Sequence, residues 1–170
     1  MRILIPIALA AVTALPLQAA EEKKSEKKSD KSLVEKTGRV VNQLVGFLVN
    51  RDAAAAARLL SANVVSLSDG GGEFFAAKVP VTGRERVALF LSRLFGAAAG
   101  MESRRKVVEL NGLFAVASEV EGAPAGVAPR AATLFQLNEE GLIERIYFVL
   151  ASRKLMRLGE PRERREAAPL

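Results

Sequence analysis

Apolar and polar residues recur along the chain with two periods, first helical and later strand-like. A spacing of three or four predicts an amphipathic helix over 33–50. Asn50-Arg51-Asp52 then breaks the pattern, and Asp52 is a good N-cap for a second helix over Ala53–Leu60. A third helix is predicted over Gly83–Phe95, where the apolar positions are Val87, Phe90, Leu91, Leu94 and Phe95.

Strand-like runs occupy much of the remaining chain. Asn111-Gly112 is a strong hairpin signal, and Asn138-Glu-Glu-Gly141 marks a second hairpin. These patterns predict an α+β fold in which three helices cover one face of a curved antiparallel sheet. The predicted strands lie at about 63–68, at a short stretch ending before Pro80, and at 101–110, 113–121, 131–137 and 142–150.

The first 20 residues have the layout of a secretory signal peptide. Met1-Arg2 is followed by an uncharged run from Ile3 to Leu17, and then by the small residues Ala19 and Ala20. An uncleaved anchor is the alternative, but this run is shorter than the roughly 20 residues that span a bilayer. The chain contains no cysteine, which excludes disulfides, thiolate metal sites and a lipoprotein anchor. We therefore expect a periplasmic or secreted protein without a membrane span in its mature form.

The basic pI of about 10.0 comes mainly from the two ends of the chain. Residues 21–32 (EEKKSEKKSDKS) mix both charges without an apolar residue, which predicts a disordered linker. Residues 151–170 carry a net charge of +3, and for Arg153–Arg165 a solvated helix end is the simplest account, although contact with anionic lipid or nucleic acid is the alternative. Residues 159–170 are expected to form a flexible tail at this basic end of the chain. Because aromatic interleaving is absent there, we expect no nucleic-acid partner. A single domain is left over 33–158.

A glycine run provides the most specific local pattern. Ser68-Asp-Gly-Gly-Gly72 follows the first strand, and Gly83-Arg-Glu-Arg-Val-Ala-Leu-Phe90 follows shortly after. Together with Asn111-Gly112 and Lys154-Leu155, these residues resemble the SnoaL-like domain of the nuclear transport factor 2-like superfamily, in the version appended to some extracytoplasmic-function sigma factors. The resemblance implies a cone-shaped curved sheet and helices that enclose a pocket, and it also implies a homodimer.

The departures from that pattern are informative. A signal peptide stands in place of the sigma-factor helices, so transcription initiation is not expected. The terminal motif is reduced to Ala151-Ser-Arg-Lys-Leu155. Superfamily members include isomerases, cyclases and dehydratases, and also proteins that only bind ligands or dimerise. Enzyme members generally place a carboxylate, a histidine or a tyrosine in the cavity, but this chain has no histidine.

Three residues are candidates for proton transfer, each with a structural alternative. Asp69 is a candidate base if burial raises its pKa, or else an Asx-turn acceptor that shapes Gly70–Gly72. Glu119 is a candidate base if its strand face lines the cavity, or else a solvated strand end. Tyr147 is a candidate oxyanion donor, or else an amphipathic residue at the edge of the core. Glu73 is expected to be an exposed start of the second strand.

Asn111, Phe90 and Phe135 are candidate ligand contacts, although a turn is the simpler role for Asn111. The glycine run is also a candidate anion nest, but it lacks the Gly-Lys-Ser/Thr completion of a P-loop. We expect no metal and no cofactor. The pattern favours an exported, non-catalytic domain that binds a small apolar ligand or another protein; the alternative is a small cyclase, isomerase or dehydratase that uses a carboxylate base.

Overall fold

The computed structural model describes residues 15–156, with side-chain surroundings from residue 32 onward. The chain divides into two units, Met1–Leu33 and Val34–Leu170, and the second contains the sheet. The elements are α1 Leu15–Val49, α2 Ala53–Arg58, β1 Leu60–Asp69, β2 Val81–Thr82, α3 Arg84–Ala97, β3 Ser103–Leu110, β4 Leu113–Val120, β5 Arg130–Leu137, β6 Ile143–Val149 and α4 Ser152–Leu155.

Helix α1 begins well before the predicted start at residue 33. It includes residues 21–32, where the sequence predicted a disordered linker. The two differ because glutamate and lysine are good helix formers even where no apolar face is present. The hydrophobic part of the predicted signal peptide and the basic tail fall largely on residues 1–14 and 157–170, outside the described residues, so the division into signal peptide, linker, domain and tail stays a prediction. No helix within residues 15–156 is long and apolar enough to cross a membrane.

A tight corner joins α1 to α2, as the sequence predicted. Asp52 is the N-cap of α2, and its Oδ1 accepts a hydrogen bond from the Ala55 N–H at 2.8 Å. Arg51 adopts a left-handed φ of 58°, and the Asp52 N–H returns to the Phe47 carbonyl at 2.9 Å. These bonds fix the path of the chain between the two helices.

The six strands form one unclosed sheet in the order β2-β1-β6-β5-β4-β3. Four consecutive strands, β3 to β6, pair antiparallel with their neighbours. The exception is β1, which runs parallel to β6. The sheet is therefore mixed, whereas an antiparallel sheet was predicted. After β1 the chain forms β2, α3 and the strands β3 to β5, and only then does β6 return beside β1 in the same direction.

Both predicted hairpins are confirmed. Asn111 and Gly112 have φ values of 53° and 75°, the two left-handed positions that a two-residue turn between β3 and β4 requires. At the β5–β6 turn, the Asn138 N–H donates to the Leu142 carbonyl at 2.8 Å, and the Asn138 side chain accepts from the Leu142 N–H at 2.9 Å.

The predicted position of the second strand is wrong. The residues before Pro80 form turns and bends, and β2 is the dipeptide Val81–Thr82 after that proline. The Phe74 and Phe75 amides donate to the carbonyls of Gly70 and Gly126, so they are not available to a ladder with β1. Glu73 is exposed as expected, but it lies in a turn rather than at a strand start.

The core lies between the helices and one face of the sheet. Val41, Leu44 and Leu48 of α1 pack in one cluster with Val87 and Leu91 of α3 and with the sheet residues Phe114, Phe135 and Ile146. Helix α1 approaches β4 closely at Gly38, where a Cβ atom would stand 2.9 Å from the Phe114 ring. That ring is 5% exposed and packs against Phe135 with centroids 6.3 Å apart, so it has little room to move.

Two glycines of α1 make a matched test of this packing. Replacement of Gly38 by alanine should destabilise the protein, because overpacking costs about 1–3 kcal/mol and exceeds the 0.5–1 kcal/mol, roughly, that alanine gains in a helix. Gly46 in the same helix has open space where a methyl group would lie, since no atom comes within 4 Å of that position. Gly46→Ala should therefore stabilise the protein. Urea denaturation of both variants measures the difference, and equal effects would contradict the contact.

Candidate functional site

Strand register divides the helix-side face of the sheet into rows. The row that we call the closed row contains Ser66, Ile146, Phe135 and Phe114, which are in register across β1, β6, β5 and β4. All four are buried, and their exposed fractions are 0%, 0%, 7% and 5%. The helices therefore cover this part of the face completely.

The next row on the same face is only half covered. This open row consists of Ser68, Phe148, Thr133 and Val116, again in register on β1, β6, β5 and β4. Each of the four is half-buried. Phe90 of α3 reaches one end of the row, where its ring stands edge-on to Phe148 with centroids 6.1 Å apart. The open row thus presents two hydroxyls between apolar side chains, beside an aromatic ring from α3.

Ser66 lies at the buried end of this surface. Its Oγ is fully buried and has no hydrogen-bond partner among the described residues. An unsatisfied buried hydroxyl costs about 1–3 kcal/mol, and this one lies two residues along β1 from Ser68 of the open row. Sequence reasoning missed Ser66, Ser68 and Thr133. The alternation Val64-Ser66-Ser68 on one face of β1 was the available signal, because hydroxyls there interrupt an otherwise apolar face.

The predicted ligand contacts fall in three different surroundings. Phe90 borders the open row. Phe135 belongs to the closed row and packs in the core, which is the ordinary role of a buried phenylalanine. Asn111 lies exposed at the tip of the β3–β4 hairpin, with the positive φ of a turn former. Only Phe90 is therefore placed where a ligand on the helix-side face could reach it.

Tyr147 lies on the opposite face of the sheet. It is in register with Leu67 on β1 and Leu134 on β5, and Leu134 is in register with Ala115 on β4. We call Leu67, Tyr147, Leu134 and Ala115 the outer row. Ala115 is fully buried, and the other three are half-buried. Tyr147 therefore faces away from the core cluster and from the open row.

Glu119 shares this outer face and is held by arginines. It is in register with Arg104 on β3 and Arg130 on β5. Its carboxylate lies 3.2 Å from the Arg130 Nε and 4.0 Å from the Arg104 guanidinium, which also contacts Glu121 at 3.2 Å. Glu119 is four residues along its strand from Ala115 of the outer row, about 13 Å at the usual strand rise. The structure does not bring Glu119 and Tyr147 together.

Asp69 ends β1 and is engaged on both carboxylate oxygens. Oδ1 accepts from the Gly71 N–H at 3.0 Å, which is the Asx-turn bond expected from the sequence. Oδ2 pairs with the Lys154 ammonium at 2.5 Å. The hydrogen bond from Lys154, followed by the one from Gly71, holds the pKa of Asp69 below its usual value. This direction is opposite to the raised pKa that a general base would need.

The glycine turn has a packing reason at two positions. A Cβ atom on Gly70 would stand 2.6 Å from the Phe74 carbonyl oxygen, so the loop can pack this closely only where the residue has no side chain. Gly71 has a φ of 59°, and a Cβ there would stand 2.8 Å from the Ala151 Cβ. The Ala151 N–H also donates to the Asp69 carbonyl at 3.2 Å. The turn is therefore built around Ala151 at the start of α4, a helix whose last residue, Leu155, is 3% exposed. No cluster of metal-ligating side chains occurs within the described residues.

The ion pair with Lys154 makes a testable contribution to the titration of Asp69. Replacement of Lys154 by glutamine should raise the Asp69 pKa toward 3.8, its ordinary value, whereas replacement of the exposed Lys78 should not. Carboxyl-carbon NMR titration measures both. Because the folded-state pKa is lowered, the pair stabilises the protein above the unfolded pKa of about 4 and loses its effect as the pH falls further. An unchanged Asp69 pKa in Lys154→Gln would contradict the assignment.

No protein-family model matches the chain, and no curated protein matches its sequence. Solved structures do match. An uncharacterised cystatin-like-fold protein of Silicibacter pomeroyi is 18% identical, with a TM-score of 0.50, over 68% of this chain and 75% of that one. A protein of unknown function with a cystatin-like fold from Methylobium petroleophilum is 14% identical, with a TM-score of 0.52, over 79% and 82%.

The extracytoplasmic function sigma factor SigJ of Mycobacterium tuberculosis also matches, with 19% identity and a TM-score of 0.55. The match covers 75% of this chain but 46% of the sigma factor, so this chain corresponds to about half of that protein's length. At these identities the comparisons establish the fold alone. The domain has the cystatin-like fold, in agreement with the SnoaL-like, nuclear transport factor 2-like architecture predicted from the glycine turn and the motifs around it.

Proposed function

We propose that this chain is an exported SnoaL-like domain that binds a small apolar ligand on the open row and does not catalyse a reaction. The observation that supports this proposal is the open row itself. Phe148 and Val116 offer half-buried apolar surface, and Ser68 and Thr133 offer two hydroxyls on the same face. Binding sites for small molecules typically combine a mainly apolar wall with a few polar groups that orient the ligand.

The placement of the carboxylates favours binding over proton transfer. Asp69 is paired with Lys154 and has a lowered pKa, and Glu119 lies between two arginines on the outer face. Neither lies on the open row, where a base would have to approach an apolar substrate to within hydrogen-bond distance. The orphaned Ser66 hydroxyl supports a ligand that carries one polar group, since such a group would satisfy it if the cover above it opens.

The outer row supports homodimerisation as part of the same proposal. Leu67, Tyr147 and Leu134 form a half-buried apolar strip at the centre of the outer face. Charged residues flank it, with Arg104, Glu119 and Arg130 toward one end. An apolar centre with a charged rim is typical of protein interfaces. In a symmetric dimer the strip of one copy would cover that of the other.

Two adjacent residues of β5 separate the two roles. Thr133→Phe places a ring in the open row and should weaken binding of N-phenylnaphthylamine, a neutral apolar fluorophore, by about tenfold or more. Leu134→Lys places a charge in the outer row and should convert the dimer to a monomer, because a lysine there would be buried without a partner. Fluorescence titration measures the first effect, and light scattering measures the second.

Each variant is the control for the other. Thr133→Phe should remain dimeric, and Leu134→Lys should keep its affinity for the fluorophore. Full fluorophore affinity in Thr133→Phe would overturn the ligand site. A wild-type protein that is monomeric by light scattering would overturn the dimer. The ligand site would still be tested separately by the fluorophore titration.

Export is supported by the layout of residues 1–20 alone. The expected result is a mature protein that begins after Ala19 or Ala20. Intact-mass measurement of the protein from the cell-envelope fraction of a bacterial host tests this. A species that retains Met1 and stays in the cytoplasmic fraction would contradict export without affecting the proposed ligand site.

A further inference from the structure

A cavity that is open to solvent lies between α1 and α2, away from the open row. Its volume is about 450 Å³, within the range of small-molecule sites. One wall consists of Gln43, Gly46 and Phe47 of α1 with the following Asn50, and the other consists of Ala55 and Arg58 of α2 with the C-cap residue Leu59. Both sets follow helical spacing, so each helix presents one face to the cavity. None of the six site residues predicted from the sequence lines it.

The shape of this cavity has two causes. Gly46 lacks a side chain, and no atom comes within 4 Å of the position its Cβ would take, so α1 has a notch there. The corner at Asn50-Arg51-Asp52 holds the two helices in fixed relation through backbone bonds, including the Asp52 N–H to the Phe47 carbonyl at 2.9 Å. The notch therefore lies between α1 and α2, and the corner sets the position of these two helices relative to each other.

The walls are apolar at the base and polar at the rim. Phe47 and Leu59 are half-buried and pack against the hydrophobic core, and Ala55 is 1% exposed. Gln43, Asn50 and Arg58 are exposed. Apolar surface is thus available for a short hydrocarbon group, with amide and guanidinium donors around it.

Arg58 determines the charge of a suitable ligand. Within residues 32–156 its guanidinium makes no ion pair and no side-chain hydrogen bond. The nearest acidic residue in sequence, Asp52, is engaged at the other end of α2 by the Ala55 N–H, about 9 Å away along the helix axis. A guanidinium binds a carboxylate through two parallel hydrogen bonds.

We propose that the cavity between α1 and α2 binds an amphipathic monocarboxylate, whose carboxylate pairs with Arg58 while its hydrocarbon part packs on Phe47 and Leu59 in the notch at Gly46. This site is separate from the open row, which lies on the sheet and has no cationic residue among its four members.

Octanoate and octanol, below their micelle concentrations, test the proposal. They share the hydrocarbon chain and differ in the charged group. Titration of the full chain, followed through backbone amide chemical shifts, should perturb the amides of Gly46, Asn50 and Leu59 with both compounds, and octanoate should bind more tightly. Arg58→Gln should weaken octanoate binding by about tenfold, because a charge-assisted hydrogen bond is lost, and should leave octanol unchanged.

Gly46→Leu should abolish the binding of both compounds, because the new side chain fills the notch. The open space around Gly46 and its exposure allow that variant to fold, and thermal unfolding verifies it. Arg93→Gln, on the exposed face of α3, is the matched control and should change neither affinity. Unchanged octanoate affinity in Arg58→Gln, or shifts confined to the open row, would overturn the proposal. Shifts confined to the open row would support the ligand site proposed there instead. The two proposals can therefore fail separately.

Discussion

The parallel pairing of β1 with β6 is the constraint on which the rest of this structure depends. It joins the α1–α2–β1 part of the chain to β6, the last strand of the antiparallel set β3 to β6. Register in a sheet is all-or-none, since a slip of one residue would move every side chain of β1 to the other face. The observed register places Ser66 beside Ile146 under the helices and places Asp69 beside Val149, next to the start of α4. Both the open row and the glycine turn follow from this single alignment.

The glycine turn depends on that pairing in a way that local sequence does not reveal. Asp69 and Lys154 are far apart in the chain, but the β1–β6 ladder ends where both lie, so the ammonium reaches the carboxylate. The ladder continues into the Leu150 and Ala151 amides, which both donate to the Asp69 carbonyl. Gly71 must then accommodate Ala151. The sequence suggested the glycine turn and Lys154-Leu155 as two parts of one family pattern, and in three dimensions they form one packing unit. The exposed ion pair between Asp69 and Lys154 adds at most about 1 kcal/mol to this packing.

Local chemistry explains what could be predicted from the sequence. The hairpin at Asn111-Gly112 and the cap at Asp52 depend on residues within a few positions of one another, and both are confirmed. The prediction of a strand before Pro80 was wrong because the Phe74 and Phe75 amides donate to the carbonyls of Gly70 and Gly126. Composition cannot indicate these partners. Which face of β4 and β6 meets the helices could not be predicted either, because apolar residues occur on both faces. Glu119 and Tyr147 were plausible cavity residues until register placed them on the outer face.

A sheet with two partly apolar faces has a physical consequence for function. Helices α1 and α3 cover the closed row, whereas the open row and the outer row each leave apolar side chains half-buried. Both faces therefore keep apolar surface that a further molecule could bury. The two surfaces differ, because the open row lies beside α3 and carries hydroxyls, while the outer row is a strip flanked by charges. The proposed small ligand is therefore assigned to the first surface, and the proposed second copy of the chain to the second. The two proposals concern opposite faces of the sheet, so each can be tested without the other.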